Sequence, residues 1–408
     1  MAFQQGLSGL NAASKALDVI SNNVANANNV GFKQSGSQFA DMFASALNGA
    51  SAGLQVGIGT SVSKVAQEFT QGNITATNSA LDVAINGNGF FRVVNDGTIA
   101  YTRAGQFQID KNGYMVTASG YQLTGYPADA AGNILPATPS AIYIDTADLQ
   151  PAQTTTIEMG LNLDSRSTVP TNAWVAGATS PDTSTYNSST SVTVYDSLGN
   201  SHIMGLFFRT NSSGSWDMYT QLDGGATSAT PTALSFNTSG TLTTAMPITV
   251  AGLTVGTGAV SPFSVDLDLT GSTQYGSLFG VNRQTQDGFA SGRLSGTAID
   301  SDGIIQGRYS NGQTKNLGQI VLANFPNAQS LNSLGNNLWA ESPGSGQPLV
   351  GVPGSGSLGE LQAGSVEESN VDLTAELVDM ITQQRNYQAN AQSIKTQDQI
   401  MQTLVNLR

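Results

Sequence analysis

The sequence predicts an α+β protein: mainly antiparallel β domains in a nested, discontinuous arrangement, with N- and C-terminal α-helices pairing as a coiled-coil-like inner domain. Three observations carry that prediction. Apolar residues recur every seven positions at both extremities of the 408-residue chain. Between the extremities the apolar period shortens to two, with Asn-Gly and Asp-Gly pairs separating the alternating runs. Midway, the composition shifts toward Ser and Thr, which marks a further β domain inserted into the first.

In the opening segment Phe3, Leu10, Leu17 and Val24 fall seven apart, and Gly6, Ala13, Ile20 and Ala27 fill the intermediate lane. An apolar stripe beside a mostly small lane is a coiled-coil seam. The helix is expected to end near Asn28-Asn29, because Gly31 supplies the residue that commonly terminates a helix. With residues 366–408 it makes up the terminal helical domain, numbered 1–35 on its own side. Residues 36–74, punctuated by Gly36, Gly49, Gly53, Gly57 and Gly59, read as a Gly-rich connector with the character of a hinge.

Residues 75–145 and 286–365 are expected to form one inner β domain with a shared core. Leu81, Val83 and Ile85 alternate with Asp82 and Ala84, Asn86-Gly87 turns, and Phe90 to Val94 follows. Asp96-Gly97 and Asn112-Gly113 supply further hairpin turns. The heavier alternation returns at 297–299, 303–309 and 318–322. The outer inserted β domain spans 146–285, with strands expected at 191–195, 203–208 and 216–222. At the other end Leu373, Met380, Tyr387, Ile394 and Met401 repeat in step, joined by Leu377, Ala391 and Val405, while Gln384 and Asp398 interrupt the second lane. Asp372 is the expected cap, and a helix from there to the end would span roughly 50 Å at about 1.5 Å per residue.

Composition narrows the chemistry. There is no Cys and a single His, His202, which removes zinc fingers, iron-sulfur clusters and thiol nucleophiles. A net charge of -13 argues against nucleic acid and anionic lipid as partners. No run approaches the ~20 apolar residues of a membrane span. The first residues lack the basic stretch and apolar run of a cleaved secretory signal, which fits a cytosolic globule and equally a substrate of a signal-less export route.

Short motifs offer no enzyme. Gly354 to Gly359 spells G-x-G-x-x-G, but without a strand before it and a helix after it the string has no means of cradling phosphate. Asp300-Ser301-Asp302-Gly303 opens like a calcium loop, yet the twelfth position is Asn311 rather than a bidentate Glu, so a hairpin turn is expected. Ser201 and His202 are neighbours in a strand and point to opposite faces, and His202 is expected at the surface. No catalytic residue, cofactor or metal is predicted.

What remains unexplained is the pair of terminal helices. An amphipathic helix alone in water is marginal, because nucleation is costly and its apolar face is uncovered. The last helix carries Ile381, Ile400, Leu404 and Leu407 off its main seam, more than one partner helix covers. The chain is therefore expected to polymerise, and a heterologous contact that does not close yields a helical filament. The expected self-assembly surface comprises Phe3, Leu10, Leu17, Ile20 and Val24, together with Leu373, Leu377, Met380, Tyr387, Ile394, Met401 and Leu404.

Ser21-Asn22-Asn23-Val24-Ala25-Asn26 leading to Val30-Gly31-Phe32-Lys33 resembles the amino-terminal signature of the bacterial flagellar rod and hook axial proteins, with Asn22, Asn23, Asn26, Gly31, Phe32 and Lys33 as signature residues. Val30 stands where the family commonly has Thr. Phe69 to Gly72, Leu81 to Ile85, Gly87-x-Gly89-Phe90-Phe91 and Tyr101 to Gly105 continue the likeness. Tyr309 to Thr314, Leu317 to Ile320, Asn324 to Asn327 and Glu368 to Asn390 are similar to the hook members of that family. The resemblance implies a structural subunit of the curved, flexible tube that acts as a universal joint between rod and filament. It implies terminal helices around the bore, β domains outside, and a location in the extracellular flagellum. It also implies as partners sister copies, the distal rod protein, the hook cap, the hook-filament junction protein and the flagellar type III export apparatus. The alternatives are a distal rod subunit of the same family and, from another class, a secreted β-rich carbohydrate-binding protein or hydrolase.

Overall fold

A computed structural model describes residues 2–42, 57, 59–212 and 214–406. Helix α1 (Ala2–Ala25) opens the chain and helix α2 (Leu373–Asn406) closes it, with antiparallel strands making up most of the rest. Two units result: Met1–Thr146, Gly296–Arg308 and Thr314–Arg408 form one, Ala147–Ser295 and Tyr309–Gln313 the other.

In the first unit, strands from before and after the insertion interleave. Gln122–Pro127 pairs with Thr314–Ile320, Phe90–Asn95 with Leu322–Asn324, and Thr98–Thr102 with Leu338–Ala340. Between them Phe90, Tyr101, Phe325 and Trp339 are buried, and Phe69 joins them edge-on with ring centroids 5.3 Å from Phe90 and 5.4 Å from Trp339. Edge-to-face aromatic packing of this kind adds about 0.5–1.5 kcal/mol per pair beyond burial.

The local turn signals divide into two groups. Asp96-Gly97 makes a two-residue hairpin between Asn95 and Thr98, with φ of 46° and 80°, the left-handed pair such a turn requires. Asn112-Gly113 joins Phe107–Ile109 to Met115–Thr117. Asn86-Gly87, expected to turn a hairpin, does not. Val83–Asn86 pairs instead with Glu360–Ala363, and a side chain on Gly87 would lie 3.0 Å from the Gly359 Cα.

A five-residue turn recurs at Asp110, Asp129, Asp196, Asn237 and Asp300. In each the side-chain Oδ1 accepts the backbone N–H four residues on, at 2.8–2.9 Å, and a Gly sits three residues on at positive φ. Asp300 to Ile304 is therefore a turn, as expected, and so is 354–359, closed by the Gly354 N–H donating to the Gly359 carbonyl.

The segment 36–74 departs from the connector expected of it. Ser35–Met42 and Gly59–Gln67 form an antiparallel pair packed on α1, and Ile74–Ala76 pairs with Ser365–Glu367. Its glycines suggested slack, but around the start of the second strand the segment is tied to α1: Gln5 Nε2 donates to the Gly57 carbonyl, and Ser8 Oγ accepts the Thr60 N–H. Residues 43–56 and 58, most of the expected hinge at 49–59, lie outside the described residues.

The second unit is a sandwich of two four-stranded sheets. One runs Ile248–Leu253, Phe263–Asp268, Thr156–Asn162, Gly280–Gln286, with a parallel pairing at its centre. The other runs Ser188–Tyr195, Ser201–Ser212, Ser215–Leu222, Thr232–Ser235. Met159, Leu161, Val265 and Leu267 from the first meet Val194, Met204, Leu206, Phe208 and Trp216 from the second in one buried core. His202 is in phase with Met204, Leu206 and Phe208 and is buried, correcting the expectation of a surface residue.

Candidate assembly site at the terminal helices

Helices α1 and α2 pack antiparallel: Gly6 lies against Ile394, Gly9 against Asn390 and Asn23 against Glu376. The approach is close because α1 offers its small residues. A methyl on Gly9 would come within 2.9 Å of the Asn390 amide. Gly6, Ala12, Ala13, Ala16 and Asn23 are buried on α1, while Leu10, Leu17, Ile20 and Val24 are half-buried and Phe3 is exposed. The expected bulky stripe is thus the flank of the contact, not its floor.

On α2 the least exposed positions are Glu376, Met380, Gln383, Asn390, Ala391, Ile394 and Gln397. Of the expected stripe Met380 and Ile394 are half-buried, whereas Tyr387 is exposed. Of the expected second lane Ala391 is half-buried, and Leu377 and Val405 are exposed. Glu376, Gln383, Asn390 and Gln397, one carboxyl and three amides, lie in the contact, and Asn390 sits directly against Gly9. Leu373, Leu377 and Met401 are exposed, as are Val378, Ile381, Ile400 and Val405. The side chain of Leu404 lies outside the described residues, as does Leu407.

At its C-terminal end α1 stops at Ala25, short of Asn28-Asn29. The chain then winds through turns in which Asn29 N–H bonds to the Asn26 carbonyl. Asn26 and Phe32 are half-buried and Asn22 is exposed. Gly31 has φ of +70°, and a Cβ there would sit 2.4 Å from the Ala104 nitrogen. Its role is close approach rather than helix termination, and its N–H donates to the Glu367 carbonyl at 2.8 Å.

Lys33 then enters a buried ionic cluster. Its Nζ lies 2.6 Å from Glu367 Oε1 and donates to the Thr70 carbonyl, also at 2.6 Å. Arg103 reaches Glu367 Oε2 at 3.1 Å, donates to the Gly87 carbonyl and lies 5.4 Å over the Phe90 ring. Gly72 N–H donates to Glu367 Oε1. The side chains of all three charged residues are 0–3% exposed. Burial pulls both the Lys33 ammonium and the Arg103 guanidinium below their ordinary ranges, against the attraction of Glu367. One carboxylate thereby ties together the signature after α1, the loop at 70–72, the end of Thr98–Thr102 and the strand that leads into α2.

A second buried network sits one step nearer the helices. Asn23 holds Ser35 by a reciprocal pair, donating to its carbonyl at 2.9 Å and accepting its N–H at 3.0 Å. Asn23 and Gln34 both donate to Glu376 Oε1, at 3.0 and 2.8 Å. Burial raises the Glu376 carboxyl above its usual range, with Asn23 and Gln34 opposing, and its Oε2 is buried without a partner. Asn370 accepts the Gln34 N–H and donates to the Glu68 carbonyl, and Asp372 caps α2 by accepting the Thr374 and Ala375 N–H groups. Sequence reasoning singled out Asn23 and Lys33 only by resemblance. Their carboxylate partners, Glu376 and Glu367, lie hundreds of positions away, and the one local sign was polar or ionisable residues inside otherwise apolar or Gly-bearing runs.

Family models match most of the chain in order: flagella basal body rod protein over residues 3–33, flagellar hook protein FlgE/F/G D1 domain over 84–165, flagellar basal body protein FlaE D2 domain over 162–289, and flagellar basal body rod FlgEFG protein C-terminal over 362–407. A helical pair at the termini with nested β units is thus the build of a subunit of the flagellar axial structure. The chain is 45% identical to the flagellar hook protein FlgE of Escherichia coli (strain K12) over 100% of both chains. It is 43% identical to that of Salmonella typhimurium, again over 100% of both, and 33% identical to that of Borreliella burgdorferi over 100% of this chain and 99% of the relative. The chain belongs to the flagellar hook protein FlgE family. In fold it is similar to the crystal structure of Helicobacter pylori flagellar hook protein FlgE2, with a TM-score of 0.52 at 15% identity, covering 71% of this chain and 99% of that one. Full-length identity to hook proteins favours the hook over the distal rod, and the β-rich carbohydrate-binding or hydrolase reading explains neither helix. No helix among the described residues is long and apolar enough to cross a membrane.

Proposed function

We propose that this chain builds the hook as a helical homopolymer in which α1 and α2 shelter among sister copies around the bore and the β units form the outer layers. The observation that supports it is the exposed row Leu373, Leu377, Val378, Ile381, Ile400, Met401 and Val405 on α2. Apolar area of that extent favours association, at about 25 cal/mol for each Å² covered. Phe3, Leu10, Leu17, Ile20 and Val24 with Met380, Tyr387, Ile394 and Leu404 complete the proposed contact surface.

In a tube that transmits torque while bent, each row of subunits shortens and lengthens once per turn. The buried Lys33–Glu367–Arg103 cluster suits this task, because it holds the exits of both helices on the first β unit while flexing is left to the contacts between copies. The tube ends would meet the distal rod protein, the hook cap and the hook-filament junction protein. Delivery would be through the flagellar type III export apparatus to the extracellular hook without a cleaved signal, and no catalytic role is proposed. Negative-stain microscopy of concentrated purified chain tests the reading. Curved tubes are expected, and Ile381→Ser with Ile400→Ser is expected to abolish them without unfolding the β units. Tubes that form undiminished from the double variant would contradict it.

A further inference from the structure

His202 begins the strand Ser201–Ser212, buried at the end of the second unit's sandwich. Each ring nitrogen faces a carboxylate: Nδ1 lies 2.5 Å from Asp223 Oδ2, and Nε2 lies 3.2 Å from Asp196 Oδ2. An ionised carboxylate only accepts, and a neutral imidazole has one donor. Both bonds therefore exist together only when the ring carries both protons. The carboxylates lie on opposite ring nitrogens, so they do not converge on a point where a metal would sit.

The cluster holds three chain segments. Asp196 belongs to the turn after Ser188–Tyr195, where its Oδ1 also accepts the Leu198 and Asn200 N–H groups. Asp223 follows Ser215–Leu222, and its Oδ1 accepts the Ile203 N–H at 2.8 Å. The third segment is the loop 254–262 between Ile248–Leu253 and Phe263–Asp268. Thr257 Oγ1 donates to Asp196 Oδ2 at 2.6 Å, and Val260 N–H donates to Ser197 Oγ at 2.9 Å. From that loop only the neutral Thr257 faces the cluster, and from Ser188–Tyr195 the cross-strand partner is apolar Val194. Asp196 and Asp223 are thus the charged groups that answer the ring. Beside them the surface carries exposed Leu198, Ile203 and Val260.

We propose that His202 is a proton-operated latch: doubly protonated, it fastens the strand ends bearing Asp196 and Asp223 and, through Asp196, the loop 254–262. On losing a proton it releases them. A neutral ring sets a lone pair against one of two carboxylates, and the loop held by Thr257 and the half-exposed Asp223 are the parts able to move away. Burial lowers the imidazole's affinity for its proton, but Asp223 and Asp196 outweigh it and hold the ring above its ordinary range. Burial also works against the Asp196 charge, but Thr257, Asn200 and His202 outweigh it and hold the carboxyl below its ordinary range. The histidine's contribution is therefore complete below the ordinary imidazole value and lost as pH rises through its own raised one. That of Asp196 is complete above the ordinary carboxyl value and lost only as pH falls through its own lowered one.

Because the chain has one His, its imidazole gives a single assignable NMR signal in the full-length protein. Its midpoint is expected above the ordinary value of about 6.5, with amide protection in 255–261, corrected for intrinsic rates, falling about tenfold across it. Asp223→Asn is expected to lower the midpoint. Thr257→Val is expected to keep the midpoint while uncoupling the loop from it. A midpoint at or below about 6.5, or loop protection unchanged across it, overturns the proposal.

Discussion

In the second unit Met204, Leu206 and Phe208 are fully covered by their own sandwich, whereas on α2 Ile381, Ile400 and Val405 are more than half exposed. The contrast does not come from composition, since both regions carry apolar residues at a regular period. It comes from what each period has to pack against. A strand's alternate residues meet a facing sheet within the same unit, and the two sheets supply the partner for each other. A helix of 34 residues has a single helical companion of 24, so most of its circumference stays bare. The inserted unit is complete as a single molecule, and the terminal helices are a surface prepared for other copies. The ionic cluster around Glu367, within the first unit, is polar yet buried and belongs to neither style.

The sharpest way to break the comparison is to remove the central carboxylate. Glu367→Ala leaves Lys33 and Arg103 buried against each other, and loss of one partner from a buried ion cluster costs about 3–5 kcal/mol. Urea unfolding followed at the backbone amides is expected to show that loss in the first unit and none in the second. Equal shifts in both units would deny the division. Replacing Lys33, Glu367 and Arg103 together by apolar residues of similar volume is expected to recover much of it.

Glu376 gives a smaller effect of opposite sign. Its carboxyl is raised by burial, so the ionised form weakens the fold at neutral pH, and the penalty fades as pH falls through the raised value toward the ordinary one. Glu376→Gln keeps an acceptor for Asn23 and Gln34 without the charge. It is expected to stabilise the α1–α2 junction by less than about 1 kcal/mol at pH 7 and by nothing at pH 4, read from thermal unfolding at the two values. Destabilisation at pH 7 would mean that the charge itself holds the junction.

Where the fold was legible, the signal was local. Asp96-Gly97 and Asn112-Gly113 announced hairpins because each turn depends on local backbone geometry, a two-residue turn at the first and a five-residue turn closed on Asp110 at the second. The partner of the strand before Asn86-Gly87 was illegible, because Val83–Asn86 pairs with residues 360–363 and nothing in the run itself names them. The heptad located both helices but misplaced the floor of their contact, since Gly6 and Gly9 let the backbones close and leave Leu10 and Leu17 at the rim. Glycine also misled in 36–74, where strand pairing and hydrogen bonds to Gln5 and Ser8 replace the slack it suggested. His202 looked like a surface residue beside Ser201, although its spacing of two from Met204, Leu206 and Phe208 was there to be read. The Lys33–Glu367–Arg103 cluster was out of reach because its members are 334 and 264 positions apart in pairs.

The central claim is that the face of α2 left bare by α1 is sheltered only by sister copies. Hydrogen exchange of residues 373–406, compared between dilute monomer and assembled tube, tests it directly. Rapid exchange in the monomer and strong protection in the tube are the expected result. A helix already fully protected in a dilute monomer, and unchanged on assembly, would contradict it.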